Sequence, residues 1–127
     1  MKIKDYLNLS YEINQSLISK KAVLKELDKS ISSTTDKKLI EKLKKEKKKL
    51  QISINNDIYT RIDILRVIEK VKDATLRSVL EYKYICGLSF DEIAHRLNYS
   101  NRHITRIHSK ALSEAQKLYK NFWLLLF

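Results

Sequence analysis

The stretch that decides the fold lies in the second half of the chain and reads Leu88-Ser89-Phe90-Asp91-Glu92-Ile93-Ala94-His95-Arg96-Leu97-Asn98-Tyr99-Ser100. Ser89 and Glu92 have the spacing of a capping box, in which each side chain pairs with a backbone N–H at the start of a helix. This box predicts a short helix over residues 90–97. Asn98-Tyr99 then predict a tight turn, and Ser100 predicts the cap of a second helix.

The second helix is predicted to be longer and to bury one apolar side, which consists of Ile104, Ile107, Ala111 and Leu112. Upstream, Asp73 is a candidate cap for a further helix that ends before Gly87, the only glycine of the chain. Cys86, beside that glycine, is predicted to be a small buried hydrophobe. A short helix, a tight turn and a capped longer helix form the helix-turn-helix layout, and the small Ala94 lets its two helices approach closely.

The polar side of the second helix is predicted to face solvent, and it consists of Asn101, Arg102, His103, Thr105, Arg106, His108, Ser109 and Lys110. No acidic residue occurs between positions 101 and 112, although acids are common elsewhere. Arginine pairs with guanine and asparagine with adenine through two hydrogen bonds, and threonine contacts the thymine methyl. The pattern therefore predicts that helix 101–114 enters the major groove of double-stranded DNA.

The candidate site residues divide into two groups. Those expected to contact base edges are Asn101, Arg102, Thr105 and Arg106. Those expected to contact backbone phosphates, which position a protein on the duplex, are Ser100, His103, Ser109, Lys110 and Arg96. His103 and His108 are five positions apart and face different sides of a helix, so no metal site is expected. No catalytic arrangement is indicated either, and we expect neither enzyme activity nor a cofactor.

Residues 88–112 resemble the helix-turn-helix of region 4 in bacterial sigma-70-type factors, and the resemblance extends over residues 75–117. In that family the second helix binds the −35 promoter element, so the resemblance implies promoter binding. The rest of the chain departs from sigma factors, because no segment resembles the region that melts the −10 element. Residues 82–89 and 106–112, with the helical arm before them, resemble the RinA-like and ArpU-like late-gene activators of phages and prophages. That resemblance implies transcriptional activation in a bacterial host.

The N-terminal half carries two apolar stripes at helical spacing. The first consists of Ile13, Leu17, Leu24, Leu27 and Ile31, and the second of Leu39, Leu43, Leu50, Ile54, Ile58, Ile62 and Leu65. A polar break at residues 32–36 separates them, and Asp36 is a candidate cap for the second helix. Two striped helices joined by a short break predict an antiparallel hairpin. Because two helices enclose little core, we expect this arm to form a homodimer.

The composition also indicates an all-α fold. The chain has 127 residues, one glycine and no proline, whereas sheets and phosphate-binding loops need glycine-rich turns. A single cysteine excludes a disulfide within the chain. The longest apolar run, Phe122–Phe127, is far shorter than a membrane span of about 20 residues, and no secretion signal opens the chain. These features predict a protein of the bacterial cytoplasm without a membrane partner.

The positive charge is concentrated in one segment. The formal net charge is +11, and residues 37–50 contain eight lysines against two glutamates, which contributes +6. Such a run is more often the solvated face of a helix than a phosphate-binding patch, although the sequence leaves both interpretations open. The charge alone indicates a polyanionic partner without identifying it.

Together these patterns predict an all-α protein with a helical hairpin arm at residues 1–72 and a helix-turn-helix domain at 73–127. The predicted function is sequence-specific DNA binding in transcriptional regulation, with RNA polymerase as a further candidate partner. Two alternatives are a DNA-binding subunit of a phage packaging machine and a helical adaptor that binds RNA polymerase rather than DNA. The apolar end Phe122–Phe127 is expected to dock on the protein's own core or in a dimer contact.

Overall fold

A computed structural model describes the backbone of residues 2–126 and the side chains of residues 2–119. It contains five α-helices and one short π-helical segment, in the order α1 (Ile3–Ser33), α2 (Lys37–Glu69), α3 (Ala74–Leu80), the π-helical segment (Glu81–Ile85), α4 (Phe90–Leu97) and α5 (Asn101–Leu126). No β-strand occurs among the described residues. The prediction of an all-α chain, with a long helical hairpin followed by a helix-turn-helix, is confirmed.

The helices begin at the predicted caps. The Asp36 carboxylate accepts hydrogen bonds from the backbone N–H groups of Lys38 and Leu39, at 3.0 and 3.3 Å. Asp73 caps α3 in the same way, and both bonds of the capping box at the start of α4 are present. These side chains satisfy donors that a helix end leaves unpaired.

Two residues with positive φ separate the C-terminal helices. Gly87 has a φ of 71° and follows the π-helical segment, and Asn98 has a φ of 57° and ends α4. Glycine adopts this left-handed conformation without a Cβ clash, and asparagine is among the few other residues that tolerate it. The turn between α4 and α5 therefore has the tight geometry that a helix-turn-helix requires.

The described chain divides into two compact units. The hairpin unit is Glu12–Thr60, and the helix-turn-helix unit combines Met1–Tyr11 with Arg61–Phe127. The units differ from the predicted segments 1–72 and 73–127, because the start of α1 and the end of α2 pack with α3 to α5. Ile3 and Leu7 of α1 are buried there, and the Ile3 backbone N–H donates to Gln116 Oε1 at 2.9 Å.

In the hairpin unit α1 and α2 run antiparallel. Lys20 Nζ lies 2.8 Å from Asp57 Oδ2, and Lys47 Nζ lies 2.7 Å from Asp28 Oδ1, so later residues of α1 meet earlier residues of α2. The apolar stripe predicted for α1 is confirmed, since Ile13 and Leu17 are buried and the remaining three residues are half-buried.

The stripe predicted for α2 is wrong in part. Ile54 is buried, whereas Ile58 is 38% and Ile62 is 39% exposed, and Leu39 is exposed as well. Each step of four residues advances about 40° beyond a full helical turn, so the steps from Ile54 to Ile58 and on to Ile62 carry the stripe out of the contact line. In the hairpin unit the contact line on α2 advances by steps of three and four residues. It therefore passes from Ile54 to Asp57 and not to Ile58.

The core of the helix-turn-helix is small and fully enclosed. Val79, Ile93 and Ile104 have no exposed surface, and Ala94 packs with them at 6% exposure. Helices α3 and α4 both pack against α5 through this cluster. Ala94 thus occupies the close-approach position that the sequence predicts for it.

Two further expectations have different outcomes. Cys86 is exposed, so its predicted burial is wrong, because the chain turns at Gly87 and leaves the cysteine on the surface. The side chains of Phe122–Phe127 lie outside the described residues, and the docking expected of them stays a prediction. Within the described part of the chain, no helix is long and apolar enough to cross a bilayer.

Candidate nucleic-acid interface

The N-terminal end of α5 is the centre of the candidate interface. The Ser100 hydroxyl accepts a hydrogen bond from the His103 backbone N–H at 3.1 Å, so this serine is the helix cap. Ile104 and Ala111 on the inner side of the helix are completely buried. The helix is therefore fixed to the core on one side, and its orientation decides which polar residues face outward.

Arg102 and Arg106 are available to a ligand on this helix. Both are exposed, and they lie one turn apart on α5. No described residue forms a hydrogen bond, an ion pair or a cation–π contact with either guanidinium. Arginine at such a position retains all five N–H donors for a ligand. The structure thus places the two predicted base-contacting arginines side by side, with no partner among the described residues.

The other two predicted base-contacting residues have intramolecular partners. The Asn101 side-chain amide donates a hydrogen bond to the Asp91 carboxylate of α4. The Thr105 hydroxyl donates to the Asn101 carbonyl at 3.0 Å, a bond within the helix. Both residues are exposed, so their positions remain accessible. Either side chain must exchange its present bond to contact a base.

The predicted phosphate-contacting residues have varied surroundings. His103 is half-buried and its ring packs edge-on against Tyr99, with 4.7 Å between the ring centres. The Arg96 guanidinium is exposed and lies 5.7 Å from the Tyr82 ring centre. Ser109 and Lys110 are exposed on α5. Ser100 is exposed, and its hydroxyl accepts the capping hydrogen bond of α5, so its contact with a phosphate stays a prediction.

His108 is not part of the polar surface, and this prediction is wrong. Only 7% of the residue is exposed, and its Nε2 forms a 2.7 Å hydrogen bond with the Tyr84 hydroxyl. Burial and, secondarily, the nearby Lys83 and Lys4 ammonium groups lower the pKa of His108 to about 4. The ring also packs edge-on against Phe90. His108 lies four residues after Ile104 and three before Ala111, at the edge of the buried side of α5, where Tyr84 and Phe90 cover it.

Two clefts adjoin α5 within the helix-turn-helix unit. The first has a volume of about 500 Å³, contains four lysines and two acidic residues, and is lined by Lys70, Val71, Lys72, Asp73, Leu76, Lys110, Glu114, Lys117 and Leu118. The second, which we call the tyrosine cleft, has a volume of about 490 Å³ and is lined by Lys4, Asn8, Tyr11, Lys83, Tyr84, Phe90, Thr105, His108, Ser109 and Leu112. The tyrosine cleft has no acidic residue in its lining.

The sequence pattern gives no indication of Lys4, Tyr11 and Lys83 as members of a site beside α5. Lys4 and Tyr11 belong to the start of α1, about a hundred residues before the helix they adjoin. Their proximity arises from the packing of α1 on α5, where the Tyr6 and Tyr119 rings stack with 5.1 Å between their centres. The one available signal is the excess of basic over acidic residues near the helix-turn-helix, which does not identify positions.

The described side chains contain no group of three or more His, Cys, Asp or Glu residues that could hold a metal ion. The polar groups near α5 are mostly hydrogen-bond donors and cations. Such a surface binds anions by charge and hydrogen bonding.

Comparison with known proteins relates one part of the chain to a family. Residues 73–117 match the family model described as sigma-70, region 4. The match covers α3, the π-helical segment, α4 and the first two-thirds of α5, and leaves out the long hairpin. No curated protein and no solved structure is similar enough to the chain to count as a match.

Proposed function

We propose that this protein is a transcription regulator that binds double-stranded DNA in a sequence-specific manner, without catalytic activity. The N-terminal part of α5, within residues 101–114, would enter the major groove. The observation that carries the proposal is the pair of exposed arginines, Arg102 and Arg106, on a face without acidic residues. The match of residues 73–117 to region 4 of sigma-70 supports it, since that segment is a helix-turn-helix.

The spacing of the two arginines suits base contacts. Four residues of an α-helix rise about 6 Å, close to two base-pair steps of about 3.4 Å each. Each guanidinium can donate two hydrogen bonds to the O6 and N7 atoms of a guanine. Asn101 and Thr105 complete the proposed base-contacting set, with smaller contributions because their polar groups already have partners.

The decisive experiment starts with selection of bound duplexes from a random pool at about 150 mM salt, where part of the non-specific attraction is screened. Arg102→Gln and Arg106→Gln are then compared with the wild type on the selected site and on unrelated DNA. We expect each variant to lose about 10- to 100-fold in affinity for the selected site, and much less for unrelated DNA. Arg66→Gln, which alters an exposed arginine of α2, is the matched control.

Equal losses on both DNAs would contradict a base-contacting role and assign the arginines to the backbone. A wild-type protein that selects no sequence from the pool would defeat the proposal of specific recognition itself. The same binding assay with purified RNA polymerase tests the adaptor alternative, in which the helix-turn-helix binds the polymerase and no DNA.

We assign the regulator to the phage or prophage type of late-gene activator, acting in the bacterial cytoplasm, because a helical hairpin precedes the helix-turn-helix where a sigma factor has other regions. A packaging subunit is the alternative with the same DNA-binding motif. Transcription from a promoter containing the selected site, with and without the protein, separates these functions. A rise in transcript supports the activator, and unchanged transcript contradicts it.

We further propose that the hairpin unit forms a homodimer. Ile52 and Tyr59 lie two turns apart on α2 and are 54% and 68% exposed, and Ile18 of α1 is 65% exposed. A contiguous exposed apolar patch is a feature of association surfaces, and the variant below tests whether these side chains form one. Sedimentation of the wild type and of an Ile52→Lys, Tyr59→Lys double variant tests this. The wild type should sediment as a dimer and the variant as a monomer, and a monomeric wild type would refute the proposal.

A further inference from the structure

The tyrosine cleft has the composition of an anion site. Its polar lining consists of ammonium groups, hydroxyls, one amide and a buried histidine, with no carboxylate. Lys4 and Lys83 form no ion pair with any described carboxylate. The other cleft beside α5 differs, because Asp73 and Glu114 lie among its lysines. An anion in the tyrosine cleft would therefore meet positive charge without a competing negative group.

A buried hydroxyl in this cleft lacks a hydrogen bond. The Tyr11 Oη atom is buried and has no hydrogen-bond partner among the described residues. Buried polar groups in native proteins are nearly always paired, and a bound ligand is one way to satisfy them. The Tyr11 ring lies 5.9 Å from the Tyr84 ring, centre to centre. Because the Tyr11 oxygen is buried, it contributes a polar group beneath the cleft and no direct contact to a DNA phosphate.

Lys83 is held in the same cleft by two aromatic rings. Its Nζ atom lies 4.3 Å from the centre of the Phe90 ring and 5.6 Å from that of Tyr11. Contact with aromatic faces positions an ammonium group while leaving its hydrogen-bond donors available. The lowered pKa of His108 has the positive charges of Lys83 and Lys4 among its causes, after burial. The positive charges of both lysines therefore reach the interior of this cleft.

Four residues of the cleft lining belong to the helix proposed to enter DNA, and the two exposed ones are Thr105 and Ser109. Thr105 and Ser109 lie one turn apart on α5, in the same turns as Arg102 and Arg106. The major groove is about 12 Å wide, and an α-helix with its side chains is about 10–12 Å in diameter. A helix inserted in the groove therefore brings the groups along its sides close to the backbone phosphates.

We propose that the tyrosine cleft binds a backbone phosphate of the DNA beside the inserted α5, through Lys4 and Lys83. The first turns of α1 thereby belong to the DNA interface, although the sequence separates them from the helix-turn-helix. This inference rests on the proposed DNA binding. The cleft adds affinity and fixes the orientation of α5, and it carries no base specificity, because a phosphate is the same at every base pair.

The test measures the dissociation constant at salt concentrations from 50 to 300 mM for the wild type, Lys4→Gln, Lys83→Gln and the double variant. Loss of this one phosphate contact in the double variant should lower the slope of log affinity against log salt by about 0.9 and weaken binding about fivefold at 150 mM. Each single variant should show part of that loss, because one lysine remains beside the phosphate. The loss should be the same on the selected site and on unrelated DNA. Lys83→Arg should retain most of the slope, and Lys25→Gln, in the hairpin unit, serves as the control.

The salt slopes of the variants separate a failure of the cleft proposal from a failure of the proposed function. Wild-type slopes in Lys4→Gln and Lys83→Gln overturn the cleft proposal, and the proposed function stands if Arg102→Gln still loses specific binding. If the wild type binds no DNA at 50 mM salt, the result contradicts the proposed function itself and not only the cleft proposal. Thermal melting with inorganic phosphate, without DNA, tests a free anion as the ligand. Stabilisation that Lys83→Gln abolishes, together with unchanged DNA slopes, would assign the cleft to a small anion and refute the DNA contact.

Discussion

The hairpin unit and the helix-turn-helix unit bury their apolar side chains to different extents. In the helix-turn-helix unit several helices surround a common centre, and residues such as Leu7, Leu80 and Ile104 are completely buried. In the hairpin unit two helices cover each other on one side only, and most apolar residues of the contact line are half-exposed. Ion pairs such as Lys20–Asp57 lie in that line. The difference shows that long helices do not by themselves bury their apolar side chains. How completely a side chain is buried depends on how many elements surround it.

The largest expected difference between the units concerns core truncation. Ile93→Ala removes a side chain with no exposed surface, and should lower the free energy of unfolding by about 3–4 kcal/mol. Ile31→Ala removes the same atoms from a half-buried position of the hairpin unit, and should cost about 1 kcal/mol, because less surface is returned to water. Urea unfolding followed by circular dichroism measures both. Equal losses would refute the contrast in burial.

The second prediction concerns the response to acid. The pKa of His108 lies near 4, below its ordinary value of 6.5, because the buried ring stays neutral in the folded protein. The stability due to this neutral state is complete above pH 6.5 and is lost as the pH falls toward 4, up to about 3 kcal/mol. Urea unfolding at pH 7 and pH 4.5 measures the loss.

His108→Gln should show a smaller fall in stability between these two pH values than the wild type, since the titrating group is gone. His95→Gln, which alters an exposed histidine of α4, should keep the wild-type fall. If His108→Gln loses as much stability as the wild type over this range, the acid response of the helix-turn-helix unit has another origin.

The smallest expected effect concerns the ion pair of the hairpin unit. Lys20 and Ser16 donate hydrogen bonds to the Asp57 carboxylate at 2.8 Å, and the bond from Lys20 is the largest cause of its lowered pKa. Asp57→Ala should cost about 1–2 kcal/mol. The contribution of Asp57 is present above the ordinary carboxyl pKa and is lost as the pH falls through the lowered value, which is a more acidic range than that of His108.

A double variant sharpens the result for this pair. Lys20→Leu with Asp57→Leu should restore the stability or raise it above wild type, because apolar residues often replace a partly buried ion pair without loss. A double-mutant cycle from the four unfolding curves gives the coupling energy of the pair. A double variant as unstable as Asp57→Ala would indicate that the pair contributes more than packing can replace.

Much of the fold is predictable because its signals are local. A cap acts on the first turn of its own helix, so Asp36, Asp73 and Ser89 identify helix starts without knowledge of the rest of the chain. Gly87 marks a left-handed position for the same reason. The outward placement of Arg102 and Arg106 follows from their helical phase relative to Ile104. These features require only the residues within one or two turns.

Other features depend on which elements come together. The drift of the α2 stripe away from the contact line depends on the register between α1 and α2, which the spacing of apolar residues on α2 does not reveal. The burial of His108 depends on Tyr84 and Phe90, which come from two different elements. The exposure of Cys86 depends on the direction the chain takes after the π-helical segment. For the α2 stripe and for His108 the deciding neighbour is distant in sequence, whereas Cys86 is exposed by a turn at the residue next to it.

The sequence by itself determined that this protein is helical, where its capped helices begin and that a helix-turn-helix lies at residues 88–112. The reason is that capping, helical periodicity and the near-absence of glycine and proline act over a few residues. Only the tertiary structure decided that the start of α1 joins the helix-turn-helix unit and that Lys4, Tyr11 and Lys83 share a cleft with α5. Those contacts arise from packing between segments about a hundred residues apart, where burial and not local conformation selects the neighbours.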